Sequence, residues 1–124
     1  MKNHNSKLKI DIRHRAYLFA VSLVKLIDEM DMSDVSCQVI AKQLVRSATS
    51  IGANILEAQA GSSKKDFAKF MNYALKSANE TKFWLALLRD TKKIRAEKCN
   101  AILKESLEIA NILGASMLTL KGKR

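Results

Sequence analysis

Residues 40–67 read IAKQLVRSATSIGANILEAQAGSSKKDF, and they hold one helix, its end and the start of the next. Ile40, Leu44, Ala48, Ile51, Ile55 and Ala58 recur at three- and four-residue steps, the spacing that lines up one face of a helix. Gly61 follows, the residue type that most often closes helices. Ser63-Lys64-Lys65-Asp66 then has the form of a capping box, a hydroxyl for the amide three residues on and a carboxylate that can reach back. A second stripe starts at once with Phe67, Phe70, Ala74, Ala78, Thr81, Leu85 and Leu88. Two long helices with so short a connector must double back on each other.

The same reading extends to both sides. Tyr17, Ala20, Val21, Val24 and Ile27 predict a first helix over about 11–31, closed by the polar run Asp28 to Asp34, in which Ser33 is the expected N-cap of the second. Ile102, Leu103, Leu107, Ala110, Leu113, Met117 and Leu120 predict a last helix after a polar, basic break near Asp90 to Glu97. The expected elements are therefore helices at about 11–31, 34–60, 63–90 and 96–120, with basic flexible tails. Proline is absent and glycine occurs four times, so little in the chain interrupts helix. At 124 residues there is room for one domain with a core. Short connectors make the expected fold an all-α, antiparallel, up-down-up-down four-helix bundle, a single domain over 1–124.

No apolar run approaches the roughly 20 residues of a membrane crossing, and the basic N-terminus lacks the pattern of a secretory signal. A cytoplasmic protein with no membrane partner is expected. Cys37 and Cys99 stand without a disulfide framework and read as reduced structural thiols. The two histidines, His4 and His14, stand in no ligand spacing to a cysteine, and Asp11 with His14 is a lone partial copy of the paired Glu-x-x-His motif of di-iron bundles. Nucleophile elbows and phosphate-cradling glycine loops are missing. The expectation is a non-enzyme with no metal and no cofactor.

A polar stripe runs beside the apolar one: Arg46, Ser50, Asn54 and Glu57 on the second helix, Tyr73, Ser77 and Glu80 on the third. Folding these helices back about Ser62 brings Arg46 level with Glu80, which predicts an ion pair, and Glu57 near Lys69. Paired acids could be read as catalytic. A structural network of Arg46, Asn54, Glu57 and Glu80 that fixes register or an interface is the preferred reading.

The net charge is +10, and the expected topology distributes it unevenly. Both termini and the turn at Ser62 share one end, which collects eleven cations (Lys2, Lys7, Lys9, Arg13, Arg15, Lys64, Lys65, Lys69, Lys121, Lys123 and Arg124) against Asp11, Glu57 and Asp66. At the other end Lys92, Lys93, Arg95 and Lys98 are offset by Asp28, Glu29, Asp31, Asp34, Asp90 and Glu97. A focused positive surface attracts polyanions, and phosphate contacts need no base-reading motif. Nucleic acid is the leading expected partner, through Lys7, Lys9, Arg13, Lys64, Lys65, Lys69, Lys121, Lys123 and Arg124. Phe67, Phe70 and Trp84 sit on or beside apolar stripes, so recognition is expected to be of backbone and shape rather than by stacking on bases.

The run from Arg46 to Ala58, with Ser-Ile-Gly-Ala-Asn-Ile-Leu-Glu at residues 50–57, continues through Ser63, Phe67 and Phe70 to residues 77–85, SANETKFWL. In these stretches the chain resembles the four-helix bundle proteins encoded in intervening sequences of bacterial 23S rRNA genes. Family members often carry Gly where Ala58 stands. The resemblance implies a homopentamer, with similarity to the accessory protein of diversity-generating retroelements, a basic pentamer that associates with nucleic acid and a reverse transcriptase. Phe19, Leu56, Met71, Leu87 and Ile109, which lie off the main stripes, would then cover contacts between copies. The expected function is a non-catalytic, oligomeric nucleic-acid-binding protein with RNA favoured, and a nucleic-acid-associated protein as a further partner. An oligomeric protein–protein adaptor or scaffold is the alternative.

Overall fold

Four helices account for almost all of the described chain: α1 (His4–Ile27), α2 (Val35–Ala60), α3 (Lys64–Asp90) and α4 (Ala96–Leu120). They come from a computed structural model that describes residues 4–120, with side chains from 12–119. The described residues are all-α, consistent with a four-helix bundle, and each helix packs on two others: α2 on α1 and α3, α4 on α1 and α3.

The helix ends follow from local chemistry. Asp34, with extended backbone, caps α2 by accepting from the Ser36 amide at 2.9 Å. Ser33 was the expected cap, but its own amide and hydroxyl donate to the Asp31 carboxylate, which takes it out of that role. Ser63 caps α3 as expected, accepting from the Asp66 amide at 3.0 Å. Gly61 follows α2 in extended rather than left-handed backbone, φ −66°. Its value is space, since a Cβ there would lie 3.3 Å from both the Ala58 carbonyl oxygen and Asp66 Cβ. α3 closes differently: the Lys92 amide bonds the Arg89 carbonyl at 3.1 Å and the Lys93 amide the Leu88 carbonyl at 3.0 Å, with Lys92 left-handed at φ 59°. This is a Schellman motif with lysine where glycine is usual.

α1 differs from expectation in extent and in face. It begins at His4 and ends at Ile27, so residues 4–10 belong to the helix and 28–34 to turns; the rest of the expected tails, 1–3 and 121–124, lies outside the described residues. Ile12, Ala16, Phe19, Leu23 and Leu26 are buried, whereas Tyr17 is 66% exposed and Val24 is exposed too. On α4 the stripe shifts likewise: Cys99, Ser106, Ile109, Ala110 and Leu113 are buried and Leu107 is exposed. Phe19, Met71 and Ile109, assigned above to contacts between copies, are core residues, and Leu87 packs against the core. Of that group Leu56 alone is well exposed, at 59%.

The α2 and α3 stripes are as expected. Ile40, Leu44, Ala48, Ile51, Ile55 and Ala58 are buried, as are Ala74, Ala78, Thr81, Leu85 and Leu88, with Phe67 and Phe70 partly covered. Full burial of an aliphatic side chain stabilises by about 1.5–3 kcal/mol. Leu23, Leu44, Ile51, Ile55, Leu85, Leu88, Ile109 and Leu113, drawn from all four helices, are all fully buried, so no helix can keep its place alone.

Candidate nucleic-acid interface

Lys64 and Lys65 project from the first turn of α3, both exposed, and neither is in an ion pair among the described residues. One turn on, Lys69 lies 3.9 Å from Asp66 and 4.8 Å above the centre of the Phe70 ring. Arg13 is exposed on α1, in no ion pair among the described residues. Lys7 and Lys9 lie within α1, with side chains outside the described part, and Lys121, Lys123 and Arg124 fall outside it altogether. The structure thus places Lys64, Lys65 and Lys69 together on α3.

Arg15, counted above among the basic group, is neutralised across α1 and α4. Its guanidinium meets Glu105 at 2.7 and 3.0 Å and Glu108 at 2.6 Å. The two carboxylates raise the Arg15 pKa further above its ordinary value, and the guanidinium holds the Glu105 carboxyl below the usual range. One arginine facing two glutamates leaves this seam slightly negative, so the cationic surplus is smaller than the first count.

The turns 28–34 and 91–95 carry the opposite arrangement. Lys93 Nζ lies 2.6 Å from Asp34, Lys98 pairs with Glu29, and Arg95 lies 3.3 Å from Glu97. Lys93 and the Ser36 hydroxyl hold the Asp34 carboxyl well below the usual carboxylate range, and Asp34 in turn raises the Lys93 ammonium pKa. Lys92 is exposed and in no ion pair among the described residues, but Asp28 and Asp31 are unpaired too, so the charge at this end is offset in sum. The 26 residues of α2 put about 39 Å between this cluster and the Lys64 corner.

Of the expected polar network, Arg46 and Glu80 come together as an ion pair between α2 and α3. Gln43 Oε1 accepts from Arg46 at 3.0 Å, and Glu80 accepts the Trp84 indole N–H at 2.9 Å. Asn54 does not join them: its amide donates to the Ser50 carbonyl of its own helix at 2.8 Å. Glu57 is exposed and in no ion pair among the described residues; the carboxylate beside Lys69 is that of Asp66. Sequence reasoning missed the hydrogen bond one residue inward, where the Ser47 and Thr81 oxygens lie 3.0 Å apart and both side chains are buried. Ser47 and Thr81 are the chain neighbours of Arg46 and Glu80, so the predicted ion pair already brings them to nearly the same level, and the signal was present.

Cys37 and Cys99 are free and buried, and burial pushes both thiols up. Among the described residues no group of three or more His, Cys, Asp or Glu could hold a metal, and no helix is long and apolar enough to cross a membrane. A shallow cavity of about 260 Å³ between α1 and α4 is lined by Leu18, Phe19, Ser22, Ala101, Ile102 and Glu105. Its carboxylate is the one already bound to Arg15.

Comparison with curated proteins gives no match. Among solved structures, a protein of unknown function from the S23 ribosomal protein family of Bacteroides thetaiotaomicron superposes with a TM-score of 0.81 at 38% identity, covering 89% of this chain and 97% of that one. The family described as 23S rRNA-intervening sequence protein matches residues 8–115. With four helices, that span and that structural neighbour in agreement, the chain belongs to the 23S rRNA-intervening sequence protein family.

Proposed function

We propose that this chain is a non-catalytic, oligomeric nucleic-acid-binding protein, with RNA favoured, that uses one basic pole of an antiparallel up-down-up-down bundle. The alternation of helices is supported by side-chain pairs on both seams: Arg15 of α1 meets Glu105 while Glu29, just past the end of α1, meets Lys98, an opposite chain order along α4, and Ser47 meets Thr81 at a similar distance in sequence on either side of the turn between α2 and α3, as a hairpin requires. In that arrangement Lys64, Lys65 and Lys69 share a pole with the start of α1, which carries Lys7, Lys9 and Arg13, and with the end of α4; Lys121, Lys123 and Arg124, expected to add to it, lie outside the described residues.

The observation that carries the reading is the unequal use of charge. At the end with the turns 28–34 and 91–95, Lys93 and Lys98 are paired and the exposed Lys92 stands among the carboxylates Asp28, Asp31 and Asp90, whereas Lys64 and Lys65 are exposed and unpaired among the described residues with only Glu57 and Asp66 near them in the chain. Exposed cations without carboxylate partners are free to displace the counterions of a phosphate backbone. Assembly into a homo-oligomer, which the family resemblance implies to be a pentamer, would repeat the pole in each subunit and add weak contacts by multivalency. The test is RNA binding by the full chain over a salt series, with light scattering for the oligomer. Binding that is absent at low ionic strength, or indifferent to salt, rejects the reading.

An adaptor for protein partners is the second reading, supported by exposed apolar side chains on α1 and α2, Tyr17, Val35 and Leu56 among them. A partner captured through them would survive nuclease treatment and high salt.

A further inference from the structure

Lys65, Lys69, Asn72, Lys76, Asn79 and Phe83 recur at three- and four-residue steps, so they form one stripe of α3. All but the half-buried Asn72 are exposed. Tyr73 stands beside the stripe, 44% exposed, and Phe83 ends it at 61%. From Lys65 to Phe83 the stripe runs about 27 Å. Lys65 and Lys76 are in no ion pair among the described residues. The nearby carboxylates are Asp66, beside Lys69, and Glu80, which Arg46 and the Trp84 indole already occupy.

Both exposed rings are held by a half-buried aromatic neighbour. Tyr73 packs edge-on with Phe70, centroids 5.8 Å apart, and Phe83 with Trp84 at 5.0 Å. The Trp84 ring is itself fixed by its bond to Glu80. Two rings so anchored lose little freedom when a flat ligand lies on them, and lysines between them supply charge complementary to a phosphate chain. Duplex nucleic acid hides its base faces, whereas a single strand offers them, and every base has a face that stacks.

Resting on the nucleic-acid reading above, we infer that the outer face of α3 is a single-strand track, where Lys65, Lys69 and Lys76 meet phosphates while Tyr73 and Phe83 stack on unpaired bases. This revises the expectation from sequence that recognition involves backbone and shape only. Phe67, Phe70 and Trp84 are partly covered, as expected, and the exposed rings are two others.

The experiment uses the full chain with an oligoadenylate of about 16 nucleotides and an RNA duplex of equal length. The Tyr73→Ala, Phe83→Ala variant is expected to lose about fivefold or more in affinity for the single strand and less than about twofold for the duplex, with its salt slope unchanged. Phe83→Trp retains single-strand affinity and Phe83→Leu does not. Changing Lys65, Lys69 and Lys76 to Gln lowers the single-strand salt slope by about 2. If the aromatic variant keeps wild-type affinity for the single strand, or loses both ligands equally, the track is wrong while the basic pole stands. Should it instead fall to a lighter oligomer, the rings cover a second copy and the track is again overturned. If neither RNA binds the wild-type protein at low salt, the nucleic-acid reading itself fails and the track with it.

Discussion

Ser47 and Thr81 lie with their hydroxyl oxygens 3.0 Å apart inside the α2 and α3 interface, each fully buried. A hydroxyl has one proton to give. Two arrangements satisfy both: Thr81 donates to Ser47 while Ser47 donates to the Leu44 carbonyl at 3.3 Å, or Thr81 donates to the Ser77 carbonyl at 2.7 Å while Ser47 donates to Thr81. The pair fixes the same register as the Arg46 and Glu80 ion pair above it.

Thr81→Val keeps the shape but removes the hydroxyl partner of Ser47, leaving it only the long bond to the Leu44 carbonyl, and is expected to cost about 1–2 kcal/mol in urea unfolding. Adding Ser47→Ala removes the stranded partner. The double variant should therefore be destabilised by less than the sum of the singles, a coupling that only contacting residues show.

The outer pair should matter less. Side-chain exposures of 54% for Arg46 and 37% for Glu80 leave the ions well solvated, so a double-mutant cycle to alanine should give a coupling below about 1 kcal/mol. Leu85→Ala, at a fully buried position, should cost about 2–5 kcal/mol. Stability of this bundle is set by its apolar interior, and the surface pair fixes alignment.

Lys92 at φ 59° occupies backbone that costs an L-residue about 1–2 kcal/mol. Lys92→Gly relieves it, partly offset by the greater freedom of glycine in the unfolded chain. The expected gain is about 0.5–1 kcal/mol, seen as a rise in Tm.

The Asp34 and Lys93 pair predicts a pH signature. Because the folded Asp34 carboxyl is held below its ordinary value, its contribution is present above the unfolded pKa of about 3.9 and is lost as pH falls through the folded value. Lys93 is raised, so its contribution is full below its unfolded pKa of about 10.4 and is lost as pH rises through the folded one. Asp34→Asn preserves a good N-cap. The Tm gap between wild type and Asp34→Asn should be widest near neutrality and close toward both extremes.

α2 and α3 were legible because on each a single long stripe gathers most of the apolar residues, the exposed ones such as Leu56 and Phe83 forming no second stripe of that length, and because Ser63 caps in the expected way. α1 was not, for a physical reason. Its apolar residues fall on two phases, Ile12, Ala16, Phe19, Leu23 and Leu26 on one and Tyr17, Val21 and Val24 on the other, so periodicity alone does not say which faces inward. α4 has the same ambiguity, sharpened by the buried Ser106, whose hydroxyl is satisfied by the Leu103 carbonyl at 3.1 Å. The end of α3 was placed correctly at Asp90 from the polar segment that follows, although a lysine fills the glycine position of its closing motif. At the candidate interface, composition picked out Lys64 and Lys65 but counted Arg15 as free, since its carboxylate partners lie some ninety residues away in sequence.

If the basic pole binds nucleic acid as proposed, cationic position and not net charge sets the affinity, and paired charge reversals separate the two. Lys64→Glu with Lys65→Glu and Lys92→Glu with Arg95→Glu change net charge equally, at opposite ends of α3. Measured as the slope of RNA affinity against salt, the first variant should lose about 1.5 in slope. The second should keep the wild-type slope. Equal losses for the two variants would mean that the molecule binds through overall charge, contradicting a basic pole.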